Sequence, residues 1–376
     1  MEVGKLIVQP GGYRAFIPSK IPIPWPFPMD GELIRLLNDA SLSLGKLDGI
    51  TQILPDLDFF IFMYVRKEAA LSTEIEGTRA TMINSIEAEL KLKPDLPDDV
   101  DDILHYIKAM NHGLNRLASL PLSLRLMREV HKVLMTGARS THPSTPGEFR
   151  ESQNWIGGTS PGTARFVPPP VHEMNKALGD FEIFLKKEKD IPPLIKTGVI
   201  HSQFEAIHPF LDGNGRAGRL LITFYLCEQK ILEKPVLYLS EFFKKNRDLY
   251  FDLLHNYHNK GDVLPWLRFF LEGVNEVAKK AIETSRKINL LRKEDVEKVQ
   301  KMARSSEAMY KVLDKLYELP IVNVKTVRRW TGLARSSANE LVERLVKIKI
   351  LQQRDRGSHY ARVFEYKKYL DLFVVD

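Results

Sequence analysis

Residues 208–219, His-Pro-Phe-Leu-Asp-Gly-Asn-Gly-Arg-Ala-Gly-Arg, constrain this chain more than any other stretch. Behind them run Leu220, Leu221, Ile222, Phe224 and Leu226, so a glycine-framed loop must feed a buried helix predicted to start near Gly215. The first turn of a helix leaves backbone N–H groups without partners at the positive end of the dipole, and anions settle there. Gly213 and Gly215 clear side chains from that end and permit backbone angles other residues avoid. Asn214 can add a side-chain donor. Arg216 and Arg219, three apart, are expected to leave one helical face and reach toward the loop, where planar guanidinium groups suit phosphate. Asp212 then calls for a cation, and Mg²⁺ bridging two phosphates is the natural occupant. His208 is the candidate base, able to accept a proton at neutral pH. Phe210 is expected to point into the core. The bland alternative is a glycine-rich turn that merely caps a core helix.

These twelve residues match His-Pro-Phe-x-x-Gly-Asn-Gly-Arg-x-x-Arg at every fixed position, and on that ground the chain resembles the Fic family. The resemblance implies a mainly α fold: a Fic-type helical bundle with a small β-hairpin flap. It also implies transfer of AMP from ATP to a hydroxyl of a target protein. His208 would deprotonate the target Ser, Thr or Tyr, and Asp212 would hold Mg²⁺. Gly213, Asn214 and Gly215 would bind the α- and β-phosphates, with Arg216 and Arg219 on the phosphate tail. Attack at the α-phosphorus would expel pyrophosphate, with catalysis by positioning and charge stabilisation.

A second element lies in the N-terminal third. Residues 59–76 are rich in helix formers with apolar residues at helical spacing, and Gly77 is a plausible stop. Glu76 near a helix C-terminus opposes the dipole, so a distant partner is worth proposing, although a solvated glutamate is the ordinary alternative. Ser72, Glu76 and Gly77 fit the Fic family's inhibitory pattern, Ser/Thr-x-x-x-Glu-Gly/Asn. The resemblance implies that Glu76 pairs with Arg219 where the γ-phosphate should lie. In some family members the same glutamate helps remove AMP from the target.

Residues 146–158 and 166–170 read as two short strand-like pieces around a Gly-, Thr-, Ser- and Pro-rich tip, a hairpin or else a mere connection between helices. The resemblance makes it a flap that aligns the target segment by strand addition, with Ile156 and Gly157 as its working edge. A helix is predicted from about Asn246 to just before Gly261. The family places adenine contacts there, which points to Asn246 and Tyr250, with Tyr250 as a core aromatic equally open. His201 with His208, and His255 with His258, have helical spacing but no convincing third ligand, so no zinc site is expected.

With 376 residues the chain can hold two or three domains. Expected divisions are an N-terminal helical region at 1–105 with the inhibitory helix at about 59–77, a Fic domain at 106–284, a linker helix at 285–304 and a small domain at 305–376. A run of apolar residues long enough for a membrane is missing, and one cysteine excludes an internal disulfide, so a reducing cytoplasm is expected. The Pro-rich stretch 17–28 should be extended, and the acidic run 95–102 should be an exposed connection.

Residues 301–376 carry 16 Lys and Arg against 9 Asp and Glu, so the whole formal charge of +7 resides there. Such clustering suggests an anionic partner. The order helix, helix, turn, helix, hairpin resembles a winged helix-turn-helix, which would set Arg335, Ser336, Ser337 and Asn339 against DNA, with Arg356 on the wing. A module that docks protein, or another copy of this chain, is the alternative, and the family suggests a homodimer. Two functions therefore compete: a protein adenylyltransferase using ATP and Mg²⁺, and an ATP-sensing DNA-binding regulator whose Fic domain is silent.

Overall fold

The computed structural model describes residues 2–20, 23–53, 57–92, 95–137, 145–187, 190–302, 307–354 and 362–373. An N-terminal antiparallel hairpin, β1 (Gly4–Val8) and β2 (Arg14–Pro18), pairs Gly4 with Pro18 and Val8 with Arg14. Helices follow: α1 (Gly31–Ile53), α2 (Leu57–Ile75), α3 (Met82–Glu89), α4 (Val100–Leu117) and α5 (Leu124–Met135). After the flap come α6 (Val171–Lys187), α7 (Pro193–Ile207), α8 (Asn214–Glu228), α9 (Ser240–Lys245), α10 (Arg247–Lys260) and the 38-residue α11 (Val263–Gln300). The mainly helical class expected from the sequence is the class observed. Among the described residues no helix is long and apolar enough to cross a membrane.

The bundle is organised around α7 and α8. Every α7 residue from Leu194 to Ile207 is buried, and α8 is buried from Arg216 to Leu226. A helix apolar nearly all round belongs at the centre of a protein. Pro193 opens α7 at a position where its missing N–H is no loss. Residues 208–213 are therefore a short link between two buried helices. The long α11 closes the bundle from outside, with Trp266 fully buried and its Nε1–H donating to the carbonyl of Gly198 at 2.9 Å.

Two sequence expectations need correction. The acidic run is exposed at Asp95, Asp98 and Asp101, as expected, but not at its end: α4 starts at Val100, and Asp102 in its first turn is only 6% exposed, 3.9 Å from Arg216. Acids favour a helix's first turn, and a buried guanidinium needs a counter-charge. The flap has no extended strands; it is pinned by a single bridge between Ile156 and Phe166, with N–H to O distances of 2.8 and 3.1 Å. Gly157, at φ +71°, turns the chain immediately after the bridge.

Beyond α11 lie α12 (Glu307–Glu318), β3 (Ile321–Asn323), α13 (Val324–Thr331), α14 (Arg335–Lys347), β4 (Gln352–Gln353), β5 (Val363–Glu365) and α15 (Lys367–Leu370). The three strands form an antiparallel sheet in the order β3-β5-β4. The hairpin expected here is present as β4 and β5, whereas β3 and α15 were not anticipated. The tip that carries Arg356 lies outside the described residues. Among the described residues this module meets the bundle at α2, α3 and α11. Phe373 meets Tyr64 of α2 edge-on at 5.3 Å between ring centres, Arg354 pairs with the buried Glu87 of α3, and the Tyr366 hydroxyl donates to the buried Asp295 of α11.

Candidate active site

The motif loop borders a cavity of about 490 Å³. His208 caps α7 in a left-handed conformation at φ 47°, an uncommon one for a residue with a β-carbon. The conformation turns its ring off the helix and into the cavity. Its Nδ1 is 3.3 Å from the Glu205 carbonyl, so Nδ1–H donates there and the lone pair of Nε2 is left for a substrate proton. Burial, then the neighbouring Arg150, push its pKa down to about 4, which keeps the ring neutral at pH 7.

Two residues that sequence reasoning missed brace this loop. Arg150 is 1% exposed, and its guanidinium donates to the carbonyls of His208 at 3.0 Å, Ser152 at 3.1 Å and Pro169 at 2.5 Å. Buried His131 stacks face to face on Phe210, 3.6 Å between ring centres, with Nε2 at 2.9 Å from the Asp212 carbonyl and Nδ1 accepting from Gly147 N–H. Both bind backbone atoms, which leaves no residue pattern to read. Phe210 is fully buried, as expected.

Gly213 takes φ +78° and turns the chain into α8. The Asn214 side chain is engaged within the loop: its Oδ1 accepts from Phe210 N–H at 2.8 Å and its Nδ2 donates to Phe210 O at 2.7 Å. That closes the loop upon itself and leaves the first backbone N–H groups of α8 as the donor set. The two arginines diverge instead of sharing a face. Arg216 turns away toward Asp212 (3.7 Å), Asp102 and the sulfur of Met135 (3.4 Å), and does not line the cavity. Arg219 does line it. Three positions along a helix bring side chains near one another, but their partners decide where they point, and here Asp102 and Asp212 draw Arg216 one way while Glu76 draws Arg219 the other.

Arg219 is 3% exposed, and its Nε donates to Ser72 Oγ at 2.8 Å while Nη2 donates to Ser72 O at 2.9 Å and Glu76 Oε1 at 2.7 Å. The same Glu76 oxygen sits over the start of α8, so close that a β-carbon on Gly215 would collide with it. A carboxylate thus occupies the anion seat at a helix N-terminus. Local structure puts it there. Gly77 at φ +100° ends α2, Arg247 donates to the Ile75 carbonyl at 3.3 Å, and Lys244 pairs with Glu74. Upstream, buried Glu68 accepts from Tyr106 at 3.1 Å and from Ser240 Oγ at 2.6 Å, which ties α2 to α4 and α9.

The remaining candidates divide. Ile156 and Gly157 line the cavity, with Arg165 of the flap paired to Asp252 of α10. Tyr250 reaches its wall but is 1% exposed, with its hydroxyl 2.8 Å from His201 Nε2 and its ring stacked on Phe243, so most of it is core. Asn246 lies off the cavity, between α9 and α10, and its side chain donates back to Phe242 O of α9 at 3.0 Å. Phe251, Leu254 and Arg247, not singled out from sequence, form the wall instead. Asp212 sits at the loop's end with 24% of its side chain exposed, and its Oδ1 accepts from Gly213 N–H at 2.6 Å. A single hard carboxylate beside the start of α8 is the kind of ligand Mg²⁺ takes, its other oxygens coming from substrate and water. Among the described residues no group of three or more His, Cys, Asp or Glu is placed to hold a metal.

Comparisons with known proteins bear on the family and the fold. The family model for the Fic/DOC family N-terminal region matches residues 34–115, and that for the Fic/DOC family matches residues 121–226. The protein adenylyltransferases Fic of Drosophila grimshawi and Drosophila virilis are each 28% identical over 207 residues, 54% of this chain and 39% of theirs. The chain thus matches well under half the length of these curated relatives. A Fic family protein from Desulfovibrio desulfuricans superposes with a TM-score of 0.59 at 16% identity, covering 92% of this chain and 98% of that one. A Fic domain containing signaling protein from Bacteroides thetaiotaomicron gives 0.53 at 18% identity, over 68% of this chain and 97% of its own. At these identities the likeness is one of fold. From its matched regions and the loop that links α7 to α8, the chain belongs to the Fic/DOC family.

Proposed function

We propose that this chain transfers AMP from ATP to a Ser, Thr or Tyr hydroxyl of a target protein, and that Glu76 holds the activity down. The observation that carries this is the ion pair between buried Arg219 and the partly exposed Glu76 over Gly215, in one cavity with the neutral ring of His208. In the active form the phosphates of ATP replace the Glu76 carboxylate at the start of α8, held by its backbone N–H groups and by Arg219. Gly213, Asn214 and Gly215 hold the α- and β-phosphates through the main chain. Arg216 acts from outside, by fixing Asp212. Mg²⁺ bound through Asp212 supplies charge neutralisation on the phosphates. His208 Nε2 takes the hydroxyl proton as that oxygen attacks the α-phosphorus and pyrophosphate leaves.

The target segment lies along Ile156 and Gly157, where the single bridge leaves backbone groups for strand addition. The adenine of ATP packs against Phe251 and Leu254, with Tyr250 behind them, and Asn246 braces the junction of α9 and α10. Glu76, near the same phosphates, is also the group for removing AMP from the target. Labelled ATP and Mg²⁺ with a cell lysate test the scheme. Glu76→Gly is expected to raise labelling about 10- to 100-fold, the equivalent of the ~1.5–3 kcal/mol of one charged hydrogen bond. His208→Ala in that background is expected to abolish it. Equal labelling by native chain and Glu76→Gly would refute the inhibitory role.

We propose further that the C-terminal module contacts DNA through α14. Arg335, Ser336 and Ser337 are exposed on its first turn, and Asn339 beside them is held by Arg362 at 2.8 Å. Arg356 would act from the wing. This supports a regulator reading alongside the enzyme.

A further inference from the structure

Glu205, on the last turn of α7, has no part in the reaction described so far. It is 8% exposed and borders the same cavity as His208. Its Oε2 lies 3.9 Å from His208 Nδ1, while Oε1 packs against Gly218 of α8 with no hydrogen-bond partner among the described residues. A carboxyl buried without full pairing is unfavourable, and its place beside a ring that the reaction must charge suggests use. The titratable groups facing it are His201 and His208 of α7, Arg219 of α8, Glu76 beyond α2 and Tyr250 of α10. Those around the His208 ring are Arg150, Asp212, Glu76 and His258. Burial raises the Glu205 carboxyl to about 8; Arg219 opposes this and Glu76 adds to it.

We propose that Glu205 is a positioning residue for His208: its main-chain carbonyl holds the Nδ1–H tautomer, and its side chain, once ionised, steadies the imidazolium formed in the transfer step. This rests on His208 being the base. The hydroxyl proton passes to Nε2 as the oxygen bonds to the α-phosphorus. The bond to pyrophosphate breaks with its electron pair leaving on pyrophosphate, and the imidazolium then releases its proton to solvent. Glu205 stays a carboxylate throughout. Because its ionisation falls on the alkaline side of neutrality, the rate should climb as the carboxyl loses its proton, and removing Glu76 should move that climb to lower pH.

The test is the pH profile of labelling in the Glu76→Gly chain from pH 6 to 9, with the KM for ATP measured at each end. The rate is expected to rise about tenfold, a fraction of the ~100-fold or more that a general base supplies. Glu205→Gln should flatten the rise without changing KM, and Glu205→Asp should keep part of it. In parallel, nitrogen NMR of the His208 ring in the native chain should show a second inflection from Glu205, absent in Glu205→Gln. A native profile and ring signal in Glu205→Gln would overturn the proposal. The NMR readout needs no turnover, so absence of labelling with a coupled ring would count against AMP transfer and not against this pairing. Should Glu205→Gln not fold, the Asp variant and the native ring titration decide; a single inflection there would overturn it.

Discussion

Replacing Arg150 by methionine removes a buried cation that holds the motif loop by main-chain carbonyls alone. Its guanidinium donates to His208, Ser152 and Pro169, with Ile207 at 3.5 Å as a weaker fourth. Three charge-assisted hydrogen bonds at ~1.5–3 kcal/mol each give a gross loss of about 5–9 kcal/mol. Against this, burial disfavours the charged guanidinium, whose pKa is pushed down to about 10, so part of the loss returns when the cation goes. A net destabilisation of about 3–5 kcal/mol remains, within the range for breaking a buried charged contact. At ~1–2 °C per kcal/mol for a chain of this length, calorimetry should record a Tm lower by about 3–10 °C. Because the same donors set the carbonyl of His208, the ring should also drift. In the Glu76→Gly background, labelling below the transition temperature should fall about 100-fold, as a 1 Å misplacement of a reacting group does. A Tm within 1 °C of native, or labelling preserved, would refute the claim that Arg150 sets the loop.

Stability should depend on pH in a definite direction. Burial lowers the pKa of His131 and His208 to about 4, and of His201 and His258 to about 3, below the unfolded value of 6.5. These groups are neutral in the fold, so their contribution is complete above pH 6.5 and is lost as pH falls through 6.5 toward 4, at up to ~1.36 kcal/mol per unit for each. Glu68 and Glu205, whose values are raised, act oppositely, because their contribution is lost as pH rises above the unfolded 4.5. Four histidines outweigh two carboxyls, so Tm should fall steadily from pH 6.5 to 4.5, and a flat Tm there would contradict the neutral assignments. In the C-terminal module, Arg335→Ala should weaken binding to duplex DNA about 3- to 10-fold and reduce the salt slope by about 1, measured by fluorescence anisotropy. An unchanged salt slope would exclude α14 as the contact.

How much of this could be read from the chain depended on where partners lie in sequence. The motif loop was legible because its parts are contiguous: His208, Gly213 and the apolar run behind them specify a turn between buried helices. Glu76 and Arg219 are 143 residues apart, and nothing in spacing alone joins them; the family resemblance pointed to the pair, and the geometry contains it. Asn214 and Arg216 were assigned outward roles because a helical position shows which face a side chain leaves, not which neighbour claims it. Phe210's backbone takes the first, and Asp102, Asp212 and Met135 surround the second. Arg150 and His131 left no trace, since carbonyl groups exist at every residue. The flap's two strand-like pieces around a turn-rich tip suggest a hairpin, yet among the described residues it is closed by one bridge and the ladder does not extend.

The central claim is that the Glu76 carboxylate takes the place of the terminal phosphate of ATP at the start of α8. Titration calorimetry with ADP and ATP, each with Mg²⁺, on the native chain and on Glu76→Gly tests it without any target protein. The native chain should bind the two nucleotides with similar affinity. Glu76→Gly should favour ATP over ADP by about 10-fold or more, the worth of one charged hydrogen bond regained. The same ATP-to-ADP ratio in both chains would contradict the account.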